Sequence, residues 1–358
     1  VGSCLGGGNT DDIFYGFADS QGRYVFVGYT LTGAVANMAI IRLKADFTLD
    51  TTFNAPNGFY FSTGLAGAVA GSRYDMGLGA VEDSNQNIIV TGLSNDAVNH
   101  NQWSLWKFDS TGALTNTYHI PSPGFTGGAA LRYDNLWGIA IDSQGGIVVS
   151  GEVHNAAGRW EVALARMSSF GVLDTNFGGG TGSTAGTYRS GGAASFAGGT
   201  GANVYDAPQN RMVLDSQDRI YLGGASRNTS GGYQATFWRY KANGTLDTSW
   251  GSSGGYTTFA TSPQGGTSAT MMDYPYTISV DSQGRVVGAG DSMISSISDH
   301  WIVWRLKADG TPDTSFGSGG YIMRSATTTA AGGAGANAID WFNGLWIDQF
   351  GRYVAAGI

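Results

Sequence analysis

The sequence predicts an all-β fold, a β-propeller of four-stranded antiparallel blades, with six blades of which the closing one is depleted. Three observations predict it: a short segment recurs six times, apolar runs flank every copy, and the residues that cover helix surfaces are scarce. The chain has 358 residues, 58 of them glycine, and 13% charged residues, against about 7% glycine and about 25% charge in an average soluble domain. Glycine without a strict triplet excludes collagen, and 12% aromatic residues argue against disorder. Of 27 acidic residues only Glu82, Glu152 and Glu161 are glutamate, and the lysines are Lys44, Lys107, Lys241 and Lys307. Glutamate and lysine cover helix faces, whereas aspartate serves turns. Strands and turns are therefore expected throughout.

The first two strands of each blade are read from the recurring segment. It is Asp19-Ser20-Gln21-Gly22, Asp83-Ser84-Asn85-Gln86, Asp142-Ser143-Gln144-Gly145, Asp215-Ser216-Gln217-Asp218, Asp281-Ser282-Gln283-Gly284 and Asp348-Gln349-Phe350-Gly351. Successive first aspartates lie 64, 59, 73, 66 and 67 residues apart, a period characteristic of repeat architectures. An apolar run precedes each copy and another follows, as in Trp137 to Ile141 and Ile147 to Val149. Two apolar runs around such a turn make a β-hairpin, with glycine where φ is positive.

The third strand is an apolar run ending in a basic residue, as in Ala39 to Leu43, Trp103 to Phe108, Trp160 to Arg166, Tyr233 to Arg239 and Trp301 to Leu306. A turn such as Ala308-Asp309-Gly310-Thr311 follows, then Asp-Thr-Ser-Phe-Gly in several copies, then a short fourth strand as from Tyr321. Four strands joined up-and-down and repeated radially make propeller blades. Repeat units begin near residues 11, 74, 133, 205, 272 and 339, giving one propeller domain over 1–358 whose last unit is incomplete. An unpaired sheet edge is avoided in soluble proteins, so either residues near the N-terminus close the sixth blade or the chain is part of a longer one.

These units resemble the delta-sixty repeat, a bacterial family of tandem propeller-type motifs in secreted and surface proteins. The resemblance rests on Asp281 to Arg285 and on the segment from Arg305 to Gly317, and the second unit departs most, with Thr115-Asn116-Thr117-Tyr118 in place of Asp-Thr-Ser-Phe. It implies a bacterial protein that is secreted, periplasmic or on the cell surface, and it transfers no catalytic residues.

One offset predicts a structural pair. Arg42 precedes Asp50 by eight residues, as Arg166 precedes Asp174, Arg239 precedes Asp247 and Arg305 precedes Asp313; in the second unit both change, to Lys107 and Thr115. A charge-assisted bond would tie the third strand to the following turn. Two independent surface residues are the bland alternative.

Function is placed by loop length. The connections expected to be long run from the second strand to the third (29–37, 94–102, 152–159, 225–232, 291–300) and between blades (61–74, 122–133, 178–205, 257–273, 323–340). Both classes emerge on one face of an up-and-down propeller, and long loops on a rigid scaffold are where binding concentrates. An aspartate stands at the start of each innermost strand: Asp12, Asp75, Asp134, Asp206, Asp273 and Asp340, with Tyr74, Tyr133, Tyr205, Tyr274 and Trp341 beside them. As a collar at the channel mouth these residues would suit a cation, a sugar or a basic peptide. As repeat structure each aspartate would cap its own loop or bond the next blade, and that is the favoured reading because all copies share it. A calcium ring is weaker still, since Ca²⁺ takes six to eight oxygens at short range, and no cofactor is expected.

Other signals are weak. His100, His154 and His300 fall in corresponding loops, and Gly180 to Gly186 imitates a dinucleotide pattern without the strand-to-helix context. Asn228 and Asn243 begin glycosylation sequons, relevant only in a eukaryotic secretory host. Net charge of −8 argues against a nucleic-acid partner, and no run approaches the ~18 apolar residues of a membrane helix. Cys4 is the sole cysteine, which excludes an internal disulfide. Val1-Gly2-Ser3-Cys4 loosely resembles the end of a lipoprotein signal, so a lipid anchor at Cys4 is one reading and a plain run of small residues the other. The sequence thus points to a recognition or adhesion module that binds a surface glycan or protein through its long-loop face. A glycan- or ester-cleaving enzyme at the channel mouth and a structural spacer are the alternatives.

Overall fold

The computed structural model describes residues 11–32, 35–62, 74–95, 101–120, 134–155, 157–179, 183, 185–191, 193–260, 269–293, 299–324 and 342–357. The chain forms two compact units, residues 1–158 with 166–174 and residues 159–165 with 175–358. Cys4, Tyr133, Asp340 and Trp341 lie outside the described residues.

Unit 1 contains two four-stranded antiparallel sheets and a hairpin. The first sheet has β1 (Asp11–Ala18), β2 (Tyr24–Thr32), β3 (Val35–Leu43) and β4 (Phe59–Phe61) side by side in chain order. The second repeats the arrangement with β5 (Asp75–Glu82), β6 (Ile88–Asn95), β7 (Asn101–Phe108) and β8 (Leu114–Ile120). The hairpin is β9 (Asn135–Ile141) with β10 (Ile147–His154). Val27, Met38, Ile40, Val90, Trp106 and Phe108 join one buried core. Central strands such as β6 are buried along their whole length, as stacked sheets require.

Unit 2 repeats the pattern. Within it, Ala163, Leu164 and Ala165 of β11 (Trp160–Met167) pair with β12 (Thr187–Arg189). Then come β13 (Asp206–Leu214), β14 (Ile220–Arg227), β15 (Tyr233–Tyr240) and β16 (Tyr256–Thr258), followed by β17 (Met272–Val280), β18 (Val286–Met293), β19 (Asp299–Leu306) and β20 (Tyr321–Arg324). Each of these two sets is antiparallel, and a single parallel bridge from Tyr233 to Met272 joins them. A last hairpin pairs β21 (Phe342–Ile347) with β22 (Tyr353–Gly357). Tyr221, Phe237, Trp250, Ile302 and Trp304 lie in its main core.

The recurring aspartate builds each hairpin turn through its own carboxylate. Asp281 Oδ1 accepts the N–H groups of Gln283 and Arg285, both at 2.9 Å, while Oδ2 accepts Arg285 Nε at 2.6 Å. Asp19, Asp215 and Asp348 repeat all three bonds. In the third hairpin Gly146 stands where the others carry arginine or asparagine, and Arg166 reaches in to bond Asp142 at 2.6 Å.

A second device recurs at the other end of the hairpins. Every first strand carries an irregularity shortly after its start, as between Ile13 and Tyr15, Gly77 and Gly79, or Pro275 and Thr277. The extra residue pushes one backbone carbonyl toward the second strand. In five of the six hairpins a glycine faces that carbonyl: a Cβ on Gly28, Gly92, Gly151, Gly224 or Gly290 would lie 1.7–2.1 Å from the oxygen of Asp12, Met76, Asn135, Ala207 or Tyr274. No side chain fits there.

The outer turns interlock by aromatic rings on glycine. A Cβ on Gly112 would meet the Phe53 ring at 2.6 Å and one on Gly310 the Trp250 ring at 2.4 Å; Trp250 Nε1 also donates to the Ala308 carbonyl at 3.1 Å. These rings are the aromatic residues of the Asp-Thr-x-aromatic segments.

The connections from second to third strand are shorter than the sequence suggests. β2 and β3 are separated only by residues 33–34, and β14 and β15 by 228–232, because pairing runs on to Thr32–Val35 and Arg227–Tyr233. The long connections are those between blades.

Candidate functional site

Cross-strand register places the repeated aspartates. Asp75 stands opposite Ser94, Asp206 opposite Ser226 and Asp273 opposite Ser292. In the first hairpin the equivalent residue is Asp11, opposite Thr30, and not Asp12, opposite Tyr29. The Asp11-Asp12 doublet conceals this one-residue slip, which turns the side chain to the other face of the strand.

Four of these aspartates are buried, from 0 to 3% exposed; they bond across their own hairpins and, for Asp75 and Asp206, also to the connection that precedes them. Ser62 Oγ donates to Asp75 Oδ2 at 2.7 Å and Ser94 Oγ to its Oδ1; Ser226 Oγ donates to Asp206 and, at 2.6 Å, Ser292 Oγ to Asp273. The His154 N–H donates to Asp134 Oδ1 at 2.8 Å. Their carboxylates hold strand to strand, so a collar of exposed carboxylates is not what these four residues form. Asp12 is exposed and accepts the Tyr29 hydroxyl at 2.5 Å, a bond that pushes the Tyr29 pKa up to about 12. Phe14 stacks on Tyr29 at 5.8 Å, and Tyr74 is 40% exposed.

The Arg–Asp pairs are ion pairs in all four units that carry both residues. Arg42 Nε bonds Asp50 Oδ2 at 2.7 Å, Arg166 bonds Asp174 at 2.7 Å, Arg239 bonds Asp247 at 2.6 Å and Arg305 bonds Asp313 at 2.8 Å. Lys107, where the arginine is replaced, turns to Asp83 at 3.2 Å. The pairs belong to the scaffold.

What the repeat does not prescribe is an aromatic array in unit 2. Trp160 lies edge-on to Tyr205 at 6.2 Å between ring centroids, Tyr205 to Tyr233 at 4.9 Å, Tyr233 against Tyr274 at 5.3 Å and Tyr274 stacked on Tyr276 at 6.1 Å. Parallel bridges from Trp160 to Tyr205 and from Tyr233 to Met272 bring these strand ends together. All five rings are half-buried, with neither the full burial of a core nor the isolation of surface residues. The Arg227 guanidinium lies over the Tyr233 ring, 4.8 Å from its centroid. Burial, followed by the neighbouring Tyr205, Tyr233 and Tyr276 hydroxyls, raises the Tyr274 pKa, so this phenol is neutral at any physiological pH. Tyr205 and Tyr274 were legible as candidates. Tyr233, Tyr276 and Arg227 were not, because only strand pairing carries them to the same place.

Burial raises the pKa of two carboxyl groups, Glu152 and Asp206. Burial pushes Glu152 up to about 7, against the bond from Asn135 and with the nearby Asp134 adding to the rise. Burial likewise pushes Asp206 up to about 7 although Ser226 and the Phe196 N–H bond it. A carboxyl raised in the folded state stabilises the fold fully below its unfolded pKa, and that contribution is lost as pH rises through 7. Stability is therefore expected to fall between pH 5 and pH 8, by about 3 kcal/mol for Glu152. Glu152→Gln keeps an acceptor for Asn135 Nδ2, 2.7 Å away, and should remove that part of the slope in urea titrations across pH. An unchanged slope would show that Glu152 ionises normally.

The described residues include no group of three or more histidine, cysteine, aspartate or glutamate side chains placed to hold a metal ion. Among them, no helix is long and apolar enough to cross a membrane.

Comparison with known proteins bears on the repeat. Residues 218–249 and 282–316 match the family model described as a domain of unknown function (DUF5122) β-propeller. The matched stretches are propeller repeats. Each runs from a hairpin turn to the Asp-Thr-Ser-aromatic segment, the part of the unit that recurs most regularly in the sequence. No curated protein matches the chain in sequence. Solved structures similar to this chain include an ulvan lyase, a polysaccharide lyase, with 10% identity and TM-score 0.44 over 86% of this chain and 68% of that one. A protein of unknown function from Dyadobacter fermentans has 11% identity and TM-score 0.46 over 84% and 79%. A Trypanosoma rangeli sialidase has 9% identity and TM-score 0.45 over 84% of this chain and 47% of its own.

Proposed function

We propose that the protein is a bacterial extracytoplasmic recognition module, a propeller of six repeats, that binds a surface glycan through the aromatic array of unit 2. The observation that carries this reading is the run of five half-buried rings from Trp160 to Tyr276 at the end of the strands where the long between-blade connections emerge. Aromatic faces supply large apolar contact at little entropy cost, and phenol hydroxyls supply hydrogen bonds at the same place. Pyranose rings present the complementary surface, apolar C–H faces edged by hydroxyls. The buried repeated carboxylates are engaged by serine hydroxyls and backbone N–H groups, which favours binding over acid–base catalysis.

A glycan and protein array probed with the full chain tests this. Binding to a glycan class is expected, falling at least 10-fold in Tyr205→Ala and Tyr233→Ala variants that still melt cooperatively. Binding unchanged in both folded variants would move the site elsewhere, and a hit confined to proteins would change the ligand class.

A further inference from the structure

We propose that the array takes an anionic sugar, a uronate or sulfated residue, with Arg227 as the group that meets its charge. This rests on the array being the binding site. Arg227 ends β14, and its bonds include two to neighbouring backbone carbonyls. Its backbone N–H donates to the Tyr205 carbonyl at 2.9 Å and its Nε to the Gly231 carbonyl at 3.0 Å. The guanidinium carbon lies over Tyr233, the central ring of the array. An arginine held this way is preorganised: it loses little side-chain freedom when its fork meets a carboxylate or a sulfate. Arg227 lies on the array itself.

The electrostatics around the rings agree. Arg227 acts on the Tyr274 hydroxyl, as do the tyrosines 205, 233 and 276. Neutral phenols donate O–H bonds, so the array offers donors beside a cation. The side chains of the adjacent Asp206 and Asp273 turn away from the rings. Successive strand residues point to opposite faces, and both carboxylates are buried against Ser226 and Ser292. In a chain of net charge −8, a cation at the ligand platform selects for an anion that most of the surface would repel.

The test is a titration of the full chain with tetragalacturonate, with its carboxyl-reduced neutral counterpart, and with a sulfated galactan oligosaccharide. At least one anionic probe should bind 10-fold or more tightly than the neutral one, with a preference that shrinks as salt rises. Which anionic probe binds separates uronate from sulfate recognition. Arg227→Gln should abolish the preference, and Arg227→Lys should retain part of it. Thermal melts of both variants show whether they are folded. Equal binding of anionic and neutral probes, or a preference intact in folded Arg227→Gln, would overturn the proposal while the glycan-binding reading stands. If neither these probes nor any glycan on the array binds, both fail together.

Discussion

Gly224→Ala should cost about 3 kcal/mol or more, while Gly223→Ala, one residue away, should change stability by about 1 kcal/mol or less. The two substitutions add the same methyl group to the same strand. At Gly224 the new Cβ would sit 2.1 Å from the Ala207 carbonyl oxygen, a backbone atom fixed by the irregularity between Pro208 and Met212. At Gly223 its nearest neighbour would be a Phe237 ring carbon at 3.6 Å, an ordinary contact. Because Gly28, Gly92, Gly151 and Gly290 face the equivalent carbonyl, alanine at each should be comparably disruptive. Urea denaturation of the pair at 223 and 224 checks the claim, and equal midpoints would show that the first strand relaxes to admit a side chain.

The second large effect separates ion pairs that look alike in sequence. Asp50→Ala should cost about 3–5 kcal/mol, because it leaves the Arg42 charge buried. Arg42 is 1% exposed, its Nη1 donates to the Ser110 carbonyl at 2.8 Å and its guanidinium lies 4.5 Å over the Phe53 ring. Asp174→Ala should cost about 1 kcal/mol or less. There both side chains are about a quarter exposed, and Arg166 keeps Asp142 at 2.6 Å. Burial of Asp50 opposes its ionisation, yet the Thr52 and Arg42 bonds hold its carboxyl below the usual range. Its contribution is present above pH 4 and lost as pH falls below that. Double-mutant cycles on the two pairs separate pair energy from loss of the Thr52 turn.

The hairpins and third strands are legible in the sequence because each writes a local rule. An aspartate that bonds N–H groups two and four residues on leaves a compact signature, and the eight-residue offset from arginine to aspartate survives in four units. Three things are less legible. Asp11 and Asp12 differ by one residue of register, which only pairing with Thr30 and Tyr29 decides. The second-strand glycines resemble turn glycines in composition, yet their cause is a carbonyl on another strand. Glu152 sits in a polar stretch that reads as loop, whereas β10 continues through it to His154 and buries it opposite Asn135. The candidate site shows the same divide. Tyr205 and Tyr274 flank repeated aspartates and attract attention, while Tyr233, Tyr276 and Arg227 gain meaning only when strands bring them together.

Tyrosine-selective nitration with and without the bound glycan, mapped by mass spectrometry, tests the central claim most directly. Tyr256 and Tyr321 lie in the fourth strands β16 and β20 of the same unit and are half-buried like the array, so they serve as internal controls. The account predicts protection of Tyr205, Tyr233 and Tyr276 by ligand, with the controls unchanged. Protection of the controls alone, or none at the array when the ligand is saturating, would contradict it.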